Sequence, residues 1–246
     1  MIPLTISGTH CQSDSTKYGD AAGKQCTAMS IAAIAFSSKK NILNWETTDV
    51  DEILFLGNHL YLHSCKTHHG GRLIFLEPTE VPEIFTNNFH IYKINVPFLN
   101  ISGVHDIFHE YIDLTSKLEQ YFTTHNHCVV VSCLLSVALF KIDSDTGIVY
   151  ALFDSHSRDI SGRIDPNGVA RVTFYASLRN LIENMTYNYG RPNFNIQSVF
   201  ETSGRFTINN INILLSNSTT TFGGTCVLDE HFKSAESQAH TQQGKL

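Results

Sequence analysis

The sequence lacks any apolar run long enough to cross a membrane. Its longest such run, residues 128–140, is shorter than the roughly 20 residues that a membrane-spanning helix needs. The run is rich in β-branched side chains, which favours a buried sheet instead. The N-terminus, Met1-Ile-Pro-Leu4, also lacks the basic region and apolar core of a secretory signal. These absences predict a protein that makes no membrane contact and works in a reducing compartment, the cytosol or nucleus.

Closely paired cysteines are also missing. The six cysteines form no Cys-x-x-Cys pair, which argues against a zinc cage and against a redox dithiol. The densest group of possible metal ligands consists of His63, Cys65, His68 and His69. Their spacing matches no standard zinc pattern, and Gly70-Gly71 directly after them is typical of a loop. We therefore predict no metal site and no cofactor.

An excess of basic charge is absent as well. The formal net charge of −6 and the pI near 6.1 argue against nucleic acid as the main partner. They are compatible with a basic peptide tail as substrate. With 246 residues, 42 % of them hydrophobic, and no Pro-, Gly- or Ser-rich linker, the chain predicts one domain over residues 1–233. Residues 234–246 are polar and without period, which predicts a disordered tail or the start of a linker to a larger protein.

Hydrophobic periodicity predicts an α+β fold with the helices first and the sheet later. The predicted helices cover residues 26–36, 49–62, 104–122 and 178–187. The predicted strands cover residues 128–132, 136–142, 148–153, 169–174 and 196–200.

A cysteine stands where a Gly-rich polar loop meets an apolar, Ala-rich helix. The junction reads Gly23-Lys-Gln-Cys26-Thr-Ala. A helix N-terminus presents unpaired N–H groups and a partial positive charge, which favour thiolate over thiol and can receive an oxyanion. A single cysteine in a helix is more often a buried packing residue than a nucleophile. The polar Gly-Lys-Gln segment before Cys26 makes the catalytic role more plausible than it is for most such cysteines. Cys26 is therefore the candidate nucleophile, provided that a base exists elsewhere.

The candidate base follows an apolar strand far downstream. His156 lies in a predicted polar turn, and Asp154, two residues earlier, points to the same side of an extended chain and can orient the ring through Nδ1–H. Before the cysteine, Gln12 offers an uncharged side-chain amide that suits an oxyanion, with the Cys26 N–H as its companion. Each of these residues would mean little alone, and their joint pattern predicts a Cys/His/Asp triad.

A thiol on a helical half and an imidazole on a sheet half, with a cleft between them, follow the general plan of papain-like cysteine hydrolases. Four segments carry the resemblance further, namely Gly8-Thr9, Gln12-Ser-Asp14, Gly23-Lys-Gln-Cys26-Thr-Ala and Asp154-Ser-His156-Ser-Arg158. Together they resemble the N-terminal ubiquitin-specific cysteine protease domain of herpesvirus large tegument proteins, of the betaherpesvirus type. The placement of Asp two residues before His distinguishes this pattern from papain, which takes its third residue from a segment after the His. Met29 departs from the pattern, because the family is expected to have Asn there.

The resemblance implies hydrolysis of ubiquitin conjugates after the C-terminal Gly-Gly, with activity toward the related modifier NEDD8. In it, Cys26 is the nucleophile, His156 the general base and acid, Asp154 its orienting carboxylate and Gln12 the oxyanion donor. It also implies a location in the virion tegument and in the host cytoplasm and nucleus. Other tegument or capsid proteins would bind through regions outside this chain.

Two other functions stay open at the level of sequence. One is a non-catalytic module on the same fold that binds ubiquitin or a host protein, and the other is a papain-like hydrolase with a non-ubiquitin substrate. Three acids near the site in sequence, Asp14, Asp20 and Asp159, are predicted to be caps or turn residues and not substrate contacts.

Overall fold

The computed structural model describes residues 4–82, 84–87, 90–95, 100–105, 110–132, 135–189, 204–209 and 212–215. The five α-helices in this part of the chain are α1 (Ser15–Tyr18), α2 (Cys26–Lys39), α3 (Thr47–His69), α4 (Glu110–Tyr121) and α5 (Leu178–Tyr189). Its strands are β1 (Thr5–Ser7), β2 (Ile84–Asn87), β3 (His90–Asn95), β4 (Asn100–His105), β5 (His127–Ser132), β6 (Leu135–Ser144), β7 (Gly147–Arg158), β8 (Val169–Tyr175), β9 (Gly204–Asn209) and β10 (Asn212–Leu215).

Seven strands form one sheet in the order β1-β8-β7-β6-β5-β9-β4, and every neighbouring pair is antiparallel. A smaller antiparallel sheet has the order β10-β3-β2. Helix α2 packs on strands β5, β6 and β7 on one side and on α3 on the other. Helices α4 and α5 contact each other, and α5 also packs on β7 and β8. The predicted α+β class is thus confirmed.

The central strands are buried on both faces, which explains the continuous apolar run in the sequence. Val129, Ala138 and Phe153 belong to the core shared with α2 and α3. Val130 and Leu139 belong to a second core, shared with α4 and α5. Because successive residues of a strand point to opposite faces, a strand between two cores needs apolar side chains at nearly every position.

Helix α2 is buried from Cys26 to Phe36, around its whole circumference. A helix between a sheet and another helix has no solvent face, so its sequence is apolar all round. Its approach to α3 is closest at Gly57, where an added Cβ would collide with the backbone of Met29. Met29 is fully buried in this contact. Met29, which stands where the resemblance predicts an Asn, therefore fills the core between the two helices.

Several element boundaries differ from those predicted. Helix α3 continues to His69 and ends at Gly70, which takes a left-handed conformation (φ 60°). The His- and Cys-rich group therefore lies on a helix and not in a loop, and His69 Nε2 is 2.8 Å from Glu80 Oε1. The start of the predicted helix 104–122 is wrong, because Val104 belongs to β4. The predicted strand 196–200 and the predicted tail 234–246 lie outside the described residues.

The described residues contain no group of three or more His, Cys, Asp or Glu side chains placed to hold a metal ion. None of the described helices combines the length and the apolar character that a membrane span requires.

Candidate active site

Cys26 is the first residue of α2, and its side chain is buried. The residue before it, Gln25, occupies the N-cap position and is fully buried. The Gln25 side-chain amide donates to Asn58 Oδ1 on α3 at 3.1 Å. The thiol thus lies at a helix N-terminus, where the first N–H groups of the helix have no intrahelical partner. The partial positive charge of this end favours the thiolate.

Asp154 and His156 meet on β7. The ring Nδ1 of His156 lies 2.6 Å from Asp154 Oδ1. The same carboxylate oxygen accepts the backbone N–H of His156 at 2.9 Å. The carboxylate therefore fixes the ring and assigns the proton of Nδ1. The predicted polar turn at this place is wrong, because the strand continues through the histidine to Arg158.

The register of β7 against β8 shifts between Asp154 and Arg158, as in a β-bulge. Asp154 pairs with Arg171 of β8, whereas Arg158 pairs with Val169, so β7 has more residues than β8 between the two pairs. A bulge redirects side chains and breaks the regular alternation of a strand. The polar sequence at this end of β7 thus forms an irregular strand that carries the histidine.

The thiol and the imidazole interact through the second ring nitrogen. Because Nδ1 is held by Asp154, Nε2 is the nitrogen left for Cys26. Nε2 is buried. The side chain of His156 hydrogen-bonds the Cys26 thiol, and its charge also acts on the thiol.

The electrostatics of the pair favour the charged forms. Burial lowers the pKa of His156, but the charge and hydrogen bond of Asp154, together with Cys26, raise it to about 9. Burial raises the pKa of the Cys26 thiol, but the hydrogen bond and charge of His156 outweigh it and bring this pKa below its ordinary value. Both directions favour the thiolate–imidazolium pair over the neutral pair.

Gln12 lies between the two halves of the site. Its backbone N–H donates to the Ser155 carbonyl at 2.8 Å, and its own carbonyl accepts the Gly23 N–H at 2.9 Å. The side chain is 1 % exposed, and its Oε1 has no hydrogen-bond partner among the described residues. The structure therefore brings Gln12 to the strand of His156 and to the loop before Cys26.

The sequence matches, over residues 7–214, the family described as herpesvirus tegument protein, N-terminal conserved region. The chain belongs to this tegument family. Membership agrees with the predicted location in the virion tegument. No curated protein sequence matches the chain.

A solved structure with a similar fold is that of the ubiquitin-specific protease encoded by a murine cytomegalovirus tegument protein, in complex with a ubiquitin-based suicide substrate. The TM-score is 0.66 and the sequence identity 15 %, and the match covers 88 % of this chain and 89 % of the other. At this identity the likeness concerns the fold, and it confirms the predicted papain-like arrangement of a helical half on an antiparallel sheet.

One residue that sequence reasoning missed in this tegument domain is Ser136 on β6. It is buried, and its hydroxyl lies 2.8 Å from Thr27 Oγ1. The Thr27 hydroxyl donates its proton to the Leu76 carbonyl at 2.8 Å and can therefore only accept from Ser136. The backbone N–H and the hydroxyl of Ser136 also reach the Cys26 thiol and help to lower its pKa, against the larger effect of burial. The signal in the sequence was a hydroxyl residue inside an apolar run.

A second missed residue is Arg158 at the end of β7. Its Nε donates to Asp154 Oδ2 at 2.6 Å, and its side chain is 2 % exposed. The tegument-type segment Asp-Ser-His-Ser-Arg places these charged residues at alternate positions. Residues at alternate positions of an extended chain point to the same side, which is how the contact of Asp154 with His156 was predicted. The same argument could have predicted a contact of Asp154 with Arg158.

The three acids near the site behave as the sequence predicted. Asp14 is the N-cap of α1 and accepts the Thr16 N–H at 3.0 Å. Asp159 accepts the Arg163 N–H at 2.9 Å, within the turn that follows β7. Asp20 lies in a short 3₁₀ turn before the cysteine loop. Asp14 and Asp159 organise local turns through carboxylates that accept nearby N–H groups.

Proposed function

We propose that this chain is a cysteine protease that hydrolyses ubiquitin conjugates, and NEDD8 conjugates, after the C-terminal Gly-Gly of the modifier. The observation that carries the proposal is the buried contact of Cys26 with His156, whose other ring nitrogen bonds Asp154 at 2.6 Å. A thiol with a lowered pKa, next to an oriented imidazole, is the arrangement of an activated nucleophile. The ubiquitin-based suicide substrate bound by the murine cytomegalovirus protease of similar fold supports the choice of substrate.

In the proposed reaction, the Cys26 thiolate attacks the carbonyl carbon of the terminal glycine of ubiquitin. The C–S bond forms while the carbonyl oxygen takes the negative charge, and the Gln12 amide and the Cys26 N–H donate to that oxygen. The imidazolium of His156 then gives its Nε2 proton to the lysine amine, and the C–N bond breaks. A thioester between the cysteine and ubiquitin remains.

The second half of the reaction uses the same groups in reverse roles. Neutral His156 takes a proton from water through Nε2, and the hydroxide attacks the thioester. The C–S bond breaks and releases the ubiquitin carboxylate, while the thiolate and the imidazolium are restored. Asp154 holds Nδ1 in both halves, so that Nε2 always faces the reacting atoms.

The proposal has parts beyond the catalytic step. We expect the protein to act in the virion tegument and in the host cytoplasm and nucleus. We also expect residues 1–233 to form the domain, and other tegument or capsid proteins to be bound through regions outside this chain.

The proposal is tested with ubiquitin that carries a C-terminal thiol-reactive electrophile. The expected result is a covalent adduct by mass with the wild-type protein and none with Cys26→Ala. The matched control is Cys128→Ala, because Cys128 is fully buried and burial raises the pKa of its thiol. That variant should form the adduct as the wild type does. The same probe built on NEDD8 tests the second modifier.

Failure of the probe on folded protein would overturn the proposal, and two further measurements would then direct the choice. Alkylation of Cys26 by iodoacetamide without a ubiquitin adduct would favour a papain-like hydrolase with another substrate. Binding of unmodified ubiquitin without alkylation of Cys26 would favour a non-catalytic module.

A further inference from the structure

Both oxygens of the buried Asp154 carboxylate accept hydrogen bonds. Oδ1 accepts both the backbone N–H and the ring Nδ1 of His156, at 2.9 and 2.6 Å. Oδ2 accepts Nε of Arg158 at 2.6 Å. The side chains of Asp154 and Arg158 are only 3 % and 2 % exposed. The carboxylate is thus clamped between the histidine and a guanidinium, and neither end of the ion pair is in contact with bulk water.

We propose that Arg158 is a positioning residue of the active site, which holds Asp154 in place and balances its charge so that the Cys26–His156 ion pair forms. This inference rests on the proposed function, because it takes Cys26 as the nucleophile. Arg158 does not touch the reacting atoms and acts through Asp154.

The charges support this role because they alternate along the site. In the thiolate–imidazolium form, Cys26 is negative, His156 positive, Asp154 negative and Arg158 positive, each beside the next. Without the guanidinium, the buried carboxylate would add a second negative charge behind the thiolate. A buried charge without compensation is costly, and the site would lower the cost by keeping the thiol protonated.

Other charged and titratable groups near Asp154 have different partners. Arg171 is opposite Asp154 in the β7–β8 pairing, but its guanidinium donates to Ser7 Oγ at 2.8 Å and to the Arg158 carbonyl at 2.9 Å. Tyr175 is neutral at physiological pH, since burial raises its pKa. Arg171 therefore supports the backbone of the clamp, and Arg158 supplies its charge.

The backbone from which the Arg158 side chain extends is held firmly. Its carbonyl accepts the bond from Arg171, and Gly168 lies so close that an added Cβ there would collide with the Arg158 backbone. An arginine also offers Nε in a planar group with a fixed direction, which a lysine ammonium does not. The position therefore suits orientation of the carboxylate as well as compensation of its charge.

The test is the pH dependence of Cys26 alkylation by iodoacetamide, mapped by peptide mass, in the folded full chain. It needs no ubiquitin, so a failed ubiquitin probe and a failed role for Arg158 give different results. The acid limb of this profile is the low-pH range in which the rate rises as the Cys26 thiol loses its proton. For Arg158→Gln we expect this limb to move up by about one pH unit, so that Cys26 is alkylated roughly tenfold more slowly at a given pH on the limb. For Arg158→Lys we expect the limb to stay and the plateau rate to fall, because charge is kept and direction is lost.

The matched control is Arg171→Gln, which removes a guanidinium next to the same backbone but not from Asp154. Its melting temperature should fall without a shift of the limb. An acid limb that is unchanged in Arg158→Gln, or that moves equally in Arg171→Gln, would overturn the proposal. If Arg158→Gln does not fold, the folding of the double variant Asp154→Asn/Arg158→Gln tests whether the guanidinium is needed to balance the buried carboxylate. Recovery of folding in that variant supports charge balance, and its continued loss contradicts it.

Discussion

The backbone N–H of Gln12 donates to the carbonyl of Ser155 at 2.8 Å, which ties the N-terminal segment to the strand of His156. The Gln12 carbonyl accepts the Gly23 N–H, which ties the same segment to the loop before Cys26. Both bonds use the main chain. The side chain of Gln12 can therefore be changed without removing the bonds that join these three distant segments.

Gln12→Ala is expected to lower turnover of a fluorogenic C-terminal ubiquitin amide by roughly 10²- to 10³-fold, the usual loss for one oxyanion-hole donor. The melting temperature should change little, because the backbone bonds of Gln12 persist. Alkylation of Cys26 by iodoacetamide should also stay near the wild-type rate, since that reaction develops no oxyanion. Wild-type turnover in this variant would exclude Gln12 from the catalytic site.

The pH dependence of kcat/KM should be bell-shaped with a high basic limb. As pH rises, the rate increases when Cys26, whose pKa is lowered despite burial, loses its proton. The rate falls again when His156 loses its proton, at a pKa of about 9. Initial rates with the ubiquitin amide between pH 5 and 10.5 measure both limbs. A basic limb close to the ordinary histidine value of 6.5 would contradict the arrangement.

Asp154→Asn tests whether Asp154 is the residue that raises the pKa of His156. Burial lowers the pKa of His156, and the charge of Asp154 is the main effect that raises it. Without that charge, the basic limb should move down from about 9 toward 6.5 or below, and turnover at neutral pH should fall. Rates and the limb are measured as for the wild type. An unmoved basic limb would mean that another group sets it.

The pairing of Asp154 with His156 could be predicted because it depends on the spacing of two residues in one extended segment. The continuation of β7 to Arg158 could not, because Ser155, Ser157 and Arg158 have the composition of a turn. Two of these residues have distant partners: the hydroxyl of Ser157 donates to the Gly168 carbonyl at 2.9 Å, and Arg158 bonds the aspartate. Local composition carries no record of such distant partners.

The same distinction holds for the helices. The start of α2 was marked by the change from polar loop to apolar helix at Cys26, and the structure begins the helix there. No comparable change in the sequence marks a helix start at Val104. The apolar pattern around this residue is compatible with a strand as well as with a helix. Short apolar segments fit both periods, and only pairing with β9 makes residues 100–105 a strand.

The close contact of α2 and α3 predicts that Gly57→Ala is destabilising. The new Cβ would lie against the Met29 backbone, which cannot move aside without shifting the whole of α2. We expect a loss of about 1–3 kcal/mol in the free energy of unfolding, the usual cost of overpacking a core. Urea denaturation measures it, and His63→Ala at an exposed position of α3 is the control, expected within about 0.5 kcal/mol of wild type. Equal midpoints for the two variants would contradict the packing argument.

Ser136→Ala tests whether the hydroxyl beside the thiol contributes to the thiolate. The Ser136 hydroxyl lies 2.8 Å from Thr27 Oγ1 and also acts on Cys26, and its one proton can turn from Thr27 to the thiolate, whereas the backbone N–H of Ser136 stays in the variant. A hydrogen bond of this kind contributes about 0.5–1.5 kcal/mol, so alkylation of Cys26 on the acid limb should slow by up to roughly tenfold. Ser64→Ala is the matched control, because its hydroxyl is equally buried but bonds Leu60 within α3. Both variants lose a buried hydroxyl, and only the loss at Ser136 should move the acid limb to higher pH. Equal alkylation profiles would assign Ser136 to packing of the strand against α2 and leave His156 and the helix end to stabilise the thiolate.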